Sequence, residues 1–538
     1  MTVTTRRQFG RLLMVAGAGL AAPACQALER FAPPMPDDGG PLDLARIVVR
    51  PADRLDEISP LLFGSAVEWV DHGNGLCRAA TGELRADVID LLKPLRLSVI
   101  RFPGGILADH YHWRDGVGPL NRRPARRSPM DGNEHANTFG TDEYIRFIKA
   151  ISAEPLVTAN VGTGTYEELD AWRRYFDGQG ASVPYWELGN EIYLAEPRAR
   201  ASIPGNDERI YHTSSAYAAK VKDWAARLRS GAPRARIGGI AGTDNTSAEN
   251  RGWLQTLIEG ASSELDFVAL HDAFAPLILG SYDFLDERRR QAAYRAMFAQ
   301  AAYAAEDAAR VRQQWEAAGK GRPARVAITE HFPLFGAGGN EAQLLRVLDQ
   351  SRTMASALYT ASLFHAWMRE GVWLATYNLT LSHWFGGLVT DTDAGLVKTP
   401  TYHVFDLYRN RFGTRRVGVS LTGPTFATEA IGTVRARARV EYLDVVGAHH
   451  AQGGLSLSVI NRRFGAPVLA VIEGLPAGPV EVWTLAAETP SAINGPSLTD
   501  STRASASIQP RGSQWTFTPG NPYTFPPNSV TMLRWSTA

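Results

Sequence analysis

Two glutamates have the sequence surroundings expected of paired catalytic acids. Glu191 follows the β-rich run Pro184–Leu188, and Glu330 follows a second such run, Arg325–Thr329. If both runs are parallel strands of one sheet, their carboxyl ends lie at the same edge and the two side chains can face each other. Two carboxyl groups, one protonated and one ionised, can perform acid–base and nucleophilic chemistry. These residues are therefore the first candidates for catalysis.

Other polar side chains occupy the same position at the ends of predicted strands. Each has a simpler interpretation: Arg101 could pair with a structural carboxylate, His271 could be a hydrogen-bonded pocket residue, and Asn160 could cap the loop after it. The combination favours a site, because one hypothesis accounts for all the positions together. The strand-end residues assigned to it beside the two glutamates are Glu68, Arg101, Asn160, Asn190 and His271.

Cleavage of a glycosidic bond needs such a pair of carboxyl groups. One must give its proton to the leaving oxygen while the other is ionised. If the ionised group attacks the anomeric carbon itself, the two must lie roughly 5–5.5 Å apart, whereas an intervening water requires about 6.5–9.5 Å. Side chains that point inward from opposite sides of a narrow barrel can meet, which predicts the first case.

The elements that must position these residues alternate between strand and helix. Segments such as Leu84–Leu95 place their apolar residues on one helical face. Eight strand–helix units predict an α/β fold, a (β/α)8 TIM barrel over residues 54–410. An open doubly wound sheet is the competing interpretation, but no G-x-G-x-x-G or Walker sequence follows a strand. The predicted strands are Leu61–Trp69, Ser98–Phe102, Pro155–Val161, Pro184–Leu188, Ile237–Ala241, Asp266–His271, Arg325–Thr329 and Val372–Tyr377.

Residues 411–538 have a different pattern, in which alternating strands are separated by Gly, Pro and Asn turns. This pattern predicts a C-terminal β-sandwich. Residues 43–53 also have strand character and are expected to join it. Two folded units agree with a length of 538 residues, which exceeds what one core usually serves. The predicted strands include Val434–Leu443, Leu455–Ile460, Val468–Ile472, Val480–Leu485 and Ser529–Trp535.

Residues 1–27 have the layout of an export signal. A pair of arginines precedes the apolar run Leu12–Ala22, as in a twin-arginine signal. The run is too short to span a membrane comfortably, so we expect a protein exported to the periplasm or the exterior, without a transmembrane span. Cys25 offers a site for lipid attachment, and cleavage without lipid is the alternative. Residues 28–42, rich in Pro, Asp and Gly, are expected to be a linker.

The balance of charge excludes some classes of partner. The chain carries 56 basic and 55 acidic residues and a net charge of +1, which gives no field to hold a nucleic acid or an anionic membrane. Two cysteines, Cys25 and Cys77, exclude a disulfide framework and a thiolate-rich metal site. Cleavage by two carboxyl groups needs no metal and no organic cofactor, and we expect neither.

Several longer motifs resemble those of one family. The chain reads R-F-P-G-G at Arg101–Gly105, A-N-V-G-T-G-T at Ala159–Thr165 and Y-W-E-L-G-N-E at Tyr185–Glu191. With Y-H-W-R-D-G-V-G-P at Tyr111–Pro119 and F-P-P-N-S-V-T at Phe525–Thr531, these resemble glycoside hydrolase family 51, the α-L-arabinofuranosidases. The family belongs to the clan of barrel glycosidases with catalytic glutamates on strands 4 and 7. The resemblance covers nearly the whole chain after the export signal.

The resemblance implies a role for each matching residue. Glu191 would be the general acid/base, Glu330 the nucleophile, and Asn190 would bind the hydroxyl beside the reacting carbon. Glu68 would bind other hydroxyls of the sugar. Arg101 would hold the nucleophile ionised, as a neighbouring cation lowers the pKa of a carboxyl group. The other residues predicted to bind substrate are Asn160, Trp113 and His271.

Two departures from the family pattern concern the sugar pocket. Ile106 stands where the family has an asparagine, and Ala273 stands where it has a tyrosine. Both changes remove polar groups that discriminate between sugars, so the identity of the sugar stays open. The side chains that could refill the pocket are Asp109, His110, His112, His383 and Trp384.

The sequence thus predicts a retaining exo-glycoside hydrolase that releases terminal α-L-arabinofuranosyl units from polysaccharides or oligosaccharides by double displacement. A glycosidase of the same clan acting on another furanosyl or pyranosyl linkage is one alternative. A catalytically inactive, exported carbohydrate-binding protein is another, although a binding module needs neither catalytic acid. The resemblance also allows for a homo-oligomer.

Overall fold

The computed structural model describes most of the chain after the predicted export signal and linker, both of which lie outside the described residues. The described ranges are 43–130, 132–193, 213–242, 248–276, 278, 282–283, 286–318, 323, 325–333, 349–383, 386–497 and 505–536.

Within these ranges, eight parallel strands close into a barrel, which confirms the predicted α/β fold. Each strand pairs with its successor in the chain, and the eighth pairs with the first where Thr376 lies beside Gly64. The barrel strands, numbered in this order below, are Gly64–Ala66, Val99–Phe102, Glu154–Ala159, Tyr185–Leu188, Arg236–Ile240, Phe267–Leu270, Val326–Phe332 and Leu374–Tyr377.

A helix follows every barrel strand; the first seven return the chain to the next strand, and the eighth leads into the C-terminal β-rich domain. Five of these helices begin at a Thr or Asp whose side chain accepts a backbone N–H bond from the first turn, which satisfies an otherwise unpaired donor. The helices are Ala86–Leu92, Thr141–Ile151, Tyr166–Gly178, Ser214–Gly231, Ala248–Ala261, Glu287–Ala317, Met354–Glu370 and Pro400–Arg411. Among the described residues, no helix is both long enough and apolar enough to span a bilayer.

The C-terminal β-rich domain has nine strands in one hydrogen-bonded sheet. The N-terminal strand Ala45–Glu57 lies inside this sheet, antiparallel to Arg415–Thr422 and parallel to Val468–Glu473. The chain therefore enters the β-rich domain before it builds the barrel. In spatial order the strands are Arg511–Phe517, Gly478–Ala486, Ser529–Trp535, Leu455–Asn461, Leu443–His449, Arg415–Thr422, Ala45–Glu57, Val468–Glu473 and Pro522–Phe525.

Short elements complete the structure around the barrel mouth and the domain boundary. They are the turn Val70–Asn74 and the strands Ala125–Arg127, Glu134–Ala136, Ala273–Phe274, Leu381–Ser382, Val389–Thr392, Gly395–Lys398, Thr425–Thr428 and Arg437–Glu441.

The barrel has an apolar outer layer and a polar interior at the level of the strand ends. Phe102 stacks on Tyr144 with ring centroids 4.7 Å apart, in the layer between the second strand and its helix. Inside the barrel, Arg101, Glu187 and Thr329 are all buried. Buried charges and hydroxyls persist only where they are paired, so this interior layer leads directly to the site.

Candidate active site

Glu191 and Glu330 lie together at the carboxyl ends of the fourth and seventh barrel strands. One oxygen from each carboxyl group and one nitrogen of His271 all lie within 4.8 Å of one another. A carboxyl pair needs roughly 5–5.5 Å for direct attack on a sugar and about 6.5–9.5 Å to admit a water. The observed spacing therefore suits direct attack.

Arg101 holds Glu330 and ties three strands together. From the second strand, its Nη1 donates to Glu330 Oε1 at 2.6 Å and its Nε donates to Glu187 Oε2 at 2.7 Å. Its Nη2 donates to Asn190 Oδ1 at 2.7 Å. The guanidinium stays charged and is fully buried, so it fixes the position of the Glu330 carboxyl group through this bond.

Two glycines of the R-F-P-G-G motif make room for carboxyl groups. A Cβ atom at Gly105 would lie 2.2 Å from Glu330 Oε1, and one at Gly104 would lie 2.9 Å from Glu68 Cγ. Gly104 also has a φ of +126°, which side chains rarely adopt. The motif contains these two glycines because its backbone passes directly against Glu68 and Glu330.

Glu191 has an unusual backbone conformation and a specific partner. Its φ is +46°, in the left-handed region, which costs of order 1–3 kcal/mol for a residue with a side chain. Its Oε1 lies 2.9 Å from His271 Nδ1, and the other ring nitrogen lies 2.9 Å from Thr329 Oγ1. Burial alone would lower the pKa of His271, but Glu330 and the bond to Glu191 outweigh it and raise that pKa.

Asn190 is held from two sides and keeps one donor unused. Its backbone N–H donates to Asp109 Oδ2 at 2.7 Å, and its Oδ1 accepts from Arg101. The buried Nδ2 has no hydrogen-bond partner among the described residues. A buried donor without a partner is costly, so this amide suits a hydroxyl of the substrate.

Asp109 bonds to backbone groups behind the site. It does not replace the polar groups that are missing at Ile106 and Ala273. Its Oδ1 accepts the backbone N–H groups of Val161 and Gly162 at 2.9 and 2.8 Å, while its Oδ2 accepts that of Asn190. Burial raises its pKa to about 6, although these backbone bonds oppose the rise. Asp109 thus joins the ends of the third and fourth strands.

Glu68 lies near Glu330 at the end of the first strand. Its Oε2 accepts from Asn74 Nδ2 at 2.9 Å, and its backbone N–H donates to Asn74 Oδ1 at 2.7 Å. Burial raises its pKa to about 7; the Asn74 bond opposes this rise, and Glu330 adds to it. Glu68 is therefore a buried carboxyl group that titrates near neutral pH.

The structure places Asn160 and Trp113 in supporting contacts. Asn160 Oδ1 accepts the N–H groups of Thr163 and Gly164, and its Nδ2 donates to Thr163 Oγ1. The Trp113 indole donates to the Glu168 carbonyl oxygen at 3.1 Å on the neighbouring helix. Their substrate-binding roles stay predictions, and for Asn160 the contacts favour the loop-capping alternative.

The surroundings of Ile106 and Ala273, the two departures from the family pattern, are apolar. Ala273 is buried, and the following Phe274 packs edge-on against His271 and Phe332, with ring centroids 6.3 and 5.8 Å apart. Ile106 packs against the apolar core. Of the residues considered as replacements, Trp384 lies outside the described residues.

Glu187 is a buried residue of the site that the sequence pattern did not single out. It is fully buried on the fourth strand and accepts from Arg101, from Thr158 Oγ1 at 2.6 Å and from Thr329 Oγ1 at 2.5 Å. The available signal was a charged residue inside the apolar strand Tyr185–Leu188, four residues before Glu191. A buried carboxylate needs such partners.

Carboxylate and imidazole groups at this spacing can also hold a metal ion. Here, however, Glu330 is already paired with the Arg101 cation, and both nitrogens of His271 have hydrogen-bond partners. A second cation would compete with the first for the same oxygen. The arrangement suits acid–base and nucleophilic chemistry by the two carboxyl groups better.

Comparisons with known proteins agree with this chemistry. Two family models match the chain: the alpha-L-arabinofuranosidase 1 domain over residues 91–255 and the alpha-L-arabinofuranosidase C-terminal domain over residues 339–529. A probable alpha-L-arabinofuranosidase C of Aspergillus niger is 27% identical over 92% of this chain and 98% of its own length. Alpha-L-arabinofuranosidase C of Emericella nidulans is 25% identical over 91% and 97%.

A solved structure shows the same fold. The alpha-L-arabinofuranosidase of Thermotoga maritima, crystallised as an arabinose complex, superposes with a TM-score of 0.74 at 22% identity. The match covers 92% of this chain and all of the other.

Proposed function

We propose that this chain, which belongs to the α-L-arabinofuranosidase-like proteins of glycoside hydrolase family 51, releases terminal α-L-arabinofuranosyl units with retention of configuration. Its substrates are arabinose-containing polysaccharides or oligosaccharides. The spacing of Glu191 and Glu330, within 4.8 Å, is the observation that carries the retaining mechanism.

The reaction proceeds in two displacements. Glu330 attacks the anomeric carbon and forms a glycosyl ester, while Glu191 gives its proton to the departing oxygen. Water then attacks the same carbon, Glu191 takes a proton from it, and the ester bond to Glu330 breaks. Arg101 holds the Glu330 carboxyl group in place through the bond from Nη1 to Oε1.

The first experiment is a panel of nitrophenyl furanosides and pyranosides with the wild type, Glu191→Ala and Glu330→Ala. We expect hydrolysis of the α-L-arabinofuranoside by the wild type and a loss of nearly all turnover in both variants. Glu316→Ala is the matched control, because Glu316 is exposed near the end of Glu287–Ala317 and has no contact with the site. It should retain wild-type rates.

Azide separates the two roles. With Glu330→Ala, azide should restore turnover by direct attack and give a glycosyl azide of inverted configuration. With Glu191→Ala, azide should attack the glycosyl ester and give the retained configuration.

Wild-type inertness on the whole panel would favour a carbohydrate-binding protein, and activity on another glycoside only would reassign the sugar, as Ile106 and Ala273 allow.

Export by the twin-arginine route and assembly into a homo-oligomer are further parts of the proposal. The paired arginines and the apolar run in residues 1–27 support export, and the family resemblance supports the oligomer. Replacing both arginines by lysine should retain the protein in the cytoplasm, and the mass of the mature protein shows whether Cys25 carries lipid. Light scattering gives the oligomeric state.

A further inference from the structure

A line of hydrogen-bonded side chains leads from the buried ion pair of Arg101 and Glu187 to Glu191. Glu187 Oε1 accepts the hydroxyl of Thr329 at 2.5 Å, and Thr329 Oγ1 lies 2.9 Å from His271 Nε2. His271 Nδ1 lies 2.9 Å from Glu191 Oε1. Glu187 and Thr329 are fully buried and His271 is 4% exposed, so bulk water does not replace these partners.

The number of available protons fixes the direction of these bonds. Glu187 accepts from the permanently charged Arg101 and from the hydroxyls of Thr158 and Thr329. Thr329 has one hydroxyl proton, which it gives to Glu187. Its oxygen can then only accept from His271 Nε2, and that nitrogen must carry a hydrogen.

The state of Nε2 decides what His271 offers to Glu191. A neutral imidazole with hydrogen on Nε2 has a lone pair on Nδ1. The contact with Glu191 is then a hydrogen bond only if the Glu191 carboxyl group carries the proton. If the ring is charged, Nδ1 donates to an ionised Glu191. In both states the pair holds one proton between these atoms.

We propose that Glu187 is a positioning residue that acts through Thr329 and His271 to keep the acid proton of the reaction on the side of Glu191 that faces His271. The inference deepens the proposed function and rests on it for its kinetic test. Neither Glu187 nor Thr329 touches the substrate carbon in this account, and both act through the imidazole.

The hydrogen-bonded line Glu187–Thr329–His271, called the relay below, serves both chemical steps. In the first, the proton leaves Glu191 for the departing oxygen, and His271 stays neutral with hydrogen on Nε2. The Nδ1 lone pair then faces the new carboxylate. A lone pair that faces a carboxylate makes no hydrogen bond, and the bond is restored when Glu191 takes the proton of the attacking water in the second step. No charge crosses to Glu187 at any point.

Other charged or titratable groups face the pair, but a change at Thr329 alters none of their charges. Arg101 and Glu330 act on His271 through space, and the Tyr193 hydroxyl lies 3.5 Å from Glu191 Oε1. Removing the Thr329 hydroxyl also takes one donor from Glu187, so the test needs a control that removes the other hydroxyl donor to Glu187.

Thr329→Val tests the proposal, because it keeps the shape and removes the hydroxyl. His271 then loses its acceptor at Nε2, the neutral ring can carry its hydrogen on Nδ1, and that hydrogen stabilises an ionised Glu191. We expect the alkaline limb of kcat/KM to move to lower pH by about one unit. We also expect kcat/KM to fall about tenfold for an alkyl arabinofuranoside, whose departure needs the acid, and less for a nitrophenyl one.

Thr158→Val is the matched control. Thr158 is equally buried and also donates to Glu187, but to the other oxygen and without contact to His271. It should leave the alkaline limb in place, and Thr329→Ser, which keeps a hydroxyl, should restore the wild-type profile. A uniform loss of rate with an unmoved alkaline limb in folded Thr329→Val would overturn the proposal.

The tautomer can be read without turnover. In protein labelled with ¹⁵N-histidine, the wild-type His271 ring should show hydrogen on Nε2, with the signal assigned by its loss in His271→Gln. Hydrogen on Nδ1 alone would refute the relay even in an active enzyme. An inactive wild type with hydrogen on Nε2 would instead refute the proposed function and leave the relay intact.

Discussion

Glu330 is confined on two sides, by the Arg101 cation and by backbone at Gly105. A Cβ atom at Gly105 would lie 2.2 Å from Glu330 Oε1 and 3.1 Å from its Cδ, far inside van der Waals contact. Because Arg101 holds the Glu330 carboxyl group at 2.6 Å, relief of the clash requires Glu330, the proposed nucleophile, to move. Gly105 therefore determines where Glu330 lies, although it takes no part in the reaction itself.

Gly105→Ala should lower kcat/KM by about 10²-fold, since a displacement of about 1 Å at the reacting group has that effect. The circular dichroism spectrum should be unchanged. Gly178→Ala is the control, because a Cβ there meets nothing within 4 Å at the end of its helix. Equal activity of the two variants would show that Glu330 is not confined as described.

At the scale of single residues, the sequence predicts those at strand ends and misses those within strands. Glu191 and Glu330 could be identified because function in a barrel lies where strands end. Glu187 could not, because parallel barrel strands are buried on both faces and their inward positions are not marked by alternation. The predicted roles of Asn160 and Trp113 rested on motif position, which does not show where a side chain points.

The seventh strand both carries residues of the site and packs against the helix that follows it. Its register with the eighth strand shifts between Ile328 and His331, an irregularity of the bulge type. Bulges redirect side chains near active sites. Thr329 and Glu330 are consecutive, yet both bond to residues of the site. His331 instead packs edge-on against Trp367 of the following helix, with ring centroids 4.7 Å apart.

His331 makes stability depend on pH through this strand. Burial lowers its pKa to about 3, whereas an unfolded histidine titrates near 6.5. Between these values the unfolded chain binds more protons, so the folded state loses stability as the pH falls below about 6.5. His331→Phe removes the effect: from pH 7 to pH 5 the wild type should lose about 2 kcal/mol more than the variant in urea unfolding.

If both proteins lose the same free energy of unfolding over this interval, His331 is not held neutral by the folded structure. Comparing the two proteins at each pH cancels the carboxyl groups that titrate in the same range. The strand was predicted from its sequence pattern, but the bulge was not, because a single-residue shift in register leaves no mark in hydrophobic periodicity.

At the scale of the whole molecule, a buried charge cluster joins barrel and β-rich domain. Asp444, on a strand of the sheet, pairs with Arg369 at the end of Met354–Glu370 and with Arg462 of the β-rich domain. Burial would raise the pKa of Asp444, but the two arginines outweigh it and hold that pKa well below the usual value.

Asp444→Asn should destabilise the protein by about 3–5 kcal/mol, because it leaves a buried guanidinium without its counter-charge. Urea unfolding at pH 7 measures the effect, and in the wild type this stability should be lost at acid pH as Asp444 is protonated. Glu473→Gln is the control, since its pair with Arg46 is on the surface of the same domain; its unfolding midpoint should not change. Equal midpoints for both variants would contradict the role of the cluster.

The architecture was predictable because its signals repeat along the chain. Eight alternations of strand and helix specify a closed barrel, and the change after Asn410 marks the β-rich domain. How the strands of that domain connect could not be read from patterns, because Ala45–Glu57 and Val468–Glu473 pair across more than 400 residues. Nothing local records a partner at that distance.

The proposed function depends most on direct attack by one of two carboxyl groups, which have one oxygen each within 4.8 Å of the other. The most direct test is the anomeric configuration of the first product. Proton NMR records it during the first minutes of hydrolysis of an α-L-arabinofuranoside. A retaining double displacement predicts that α-arabinofuranose appears first and that the β anomer appears only later, by mutarotation. Initial release of the β anomer would show a single displacement by water and would contradict it.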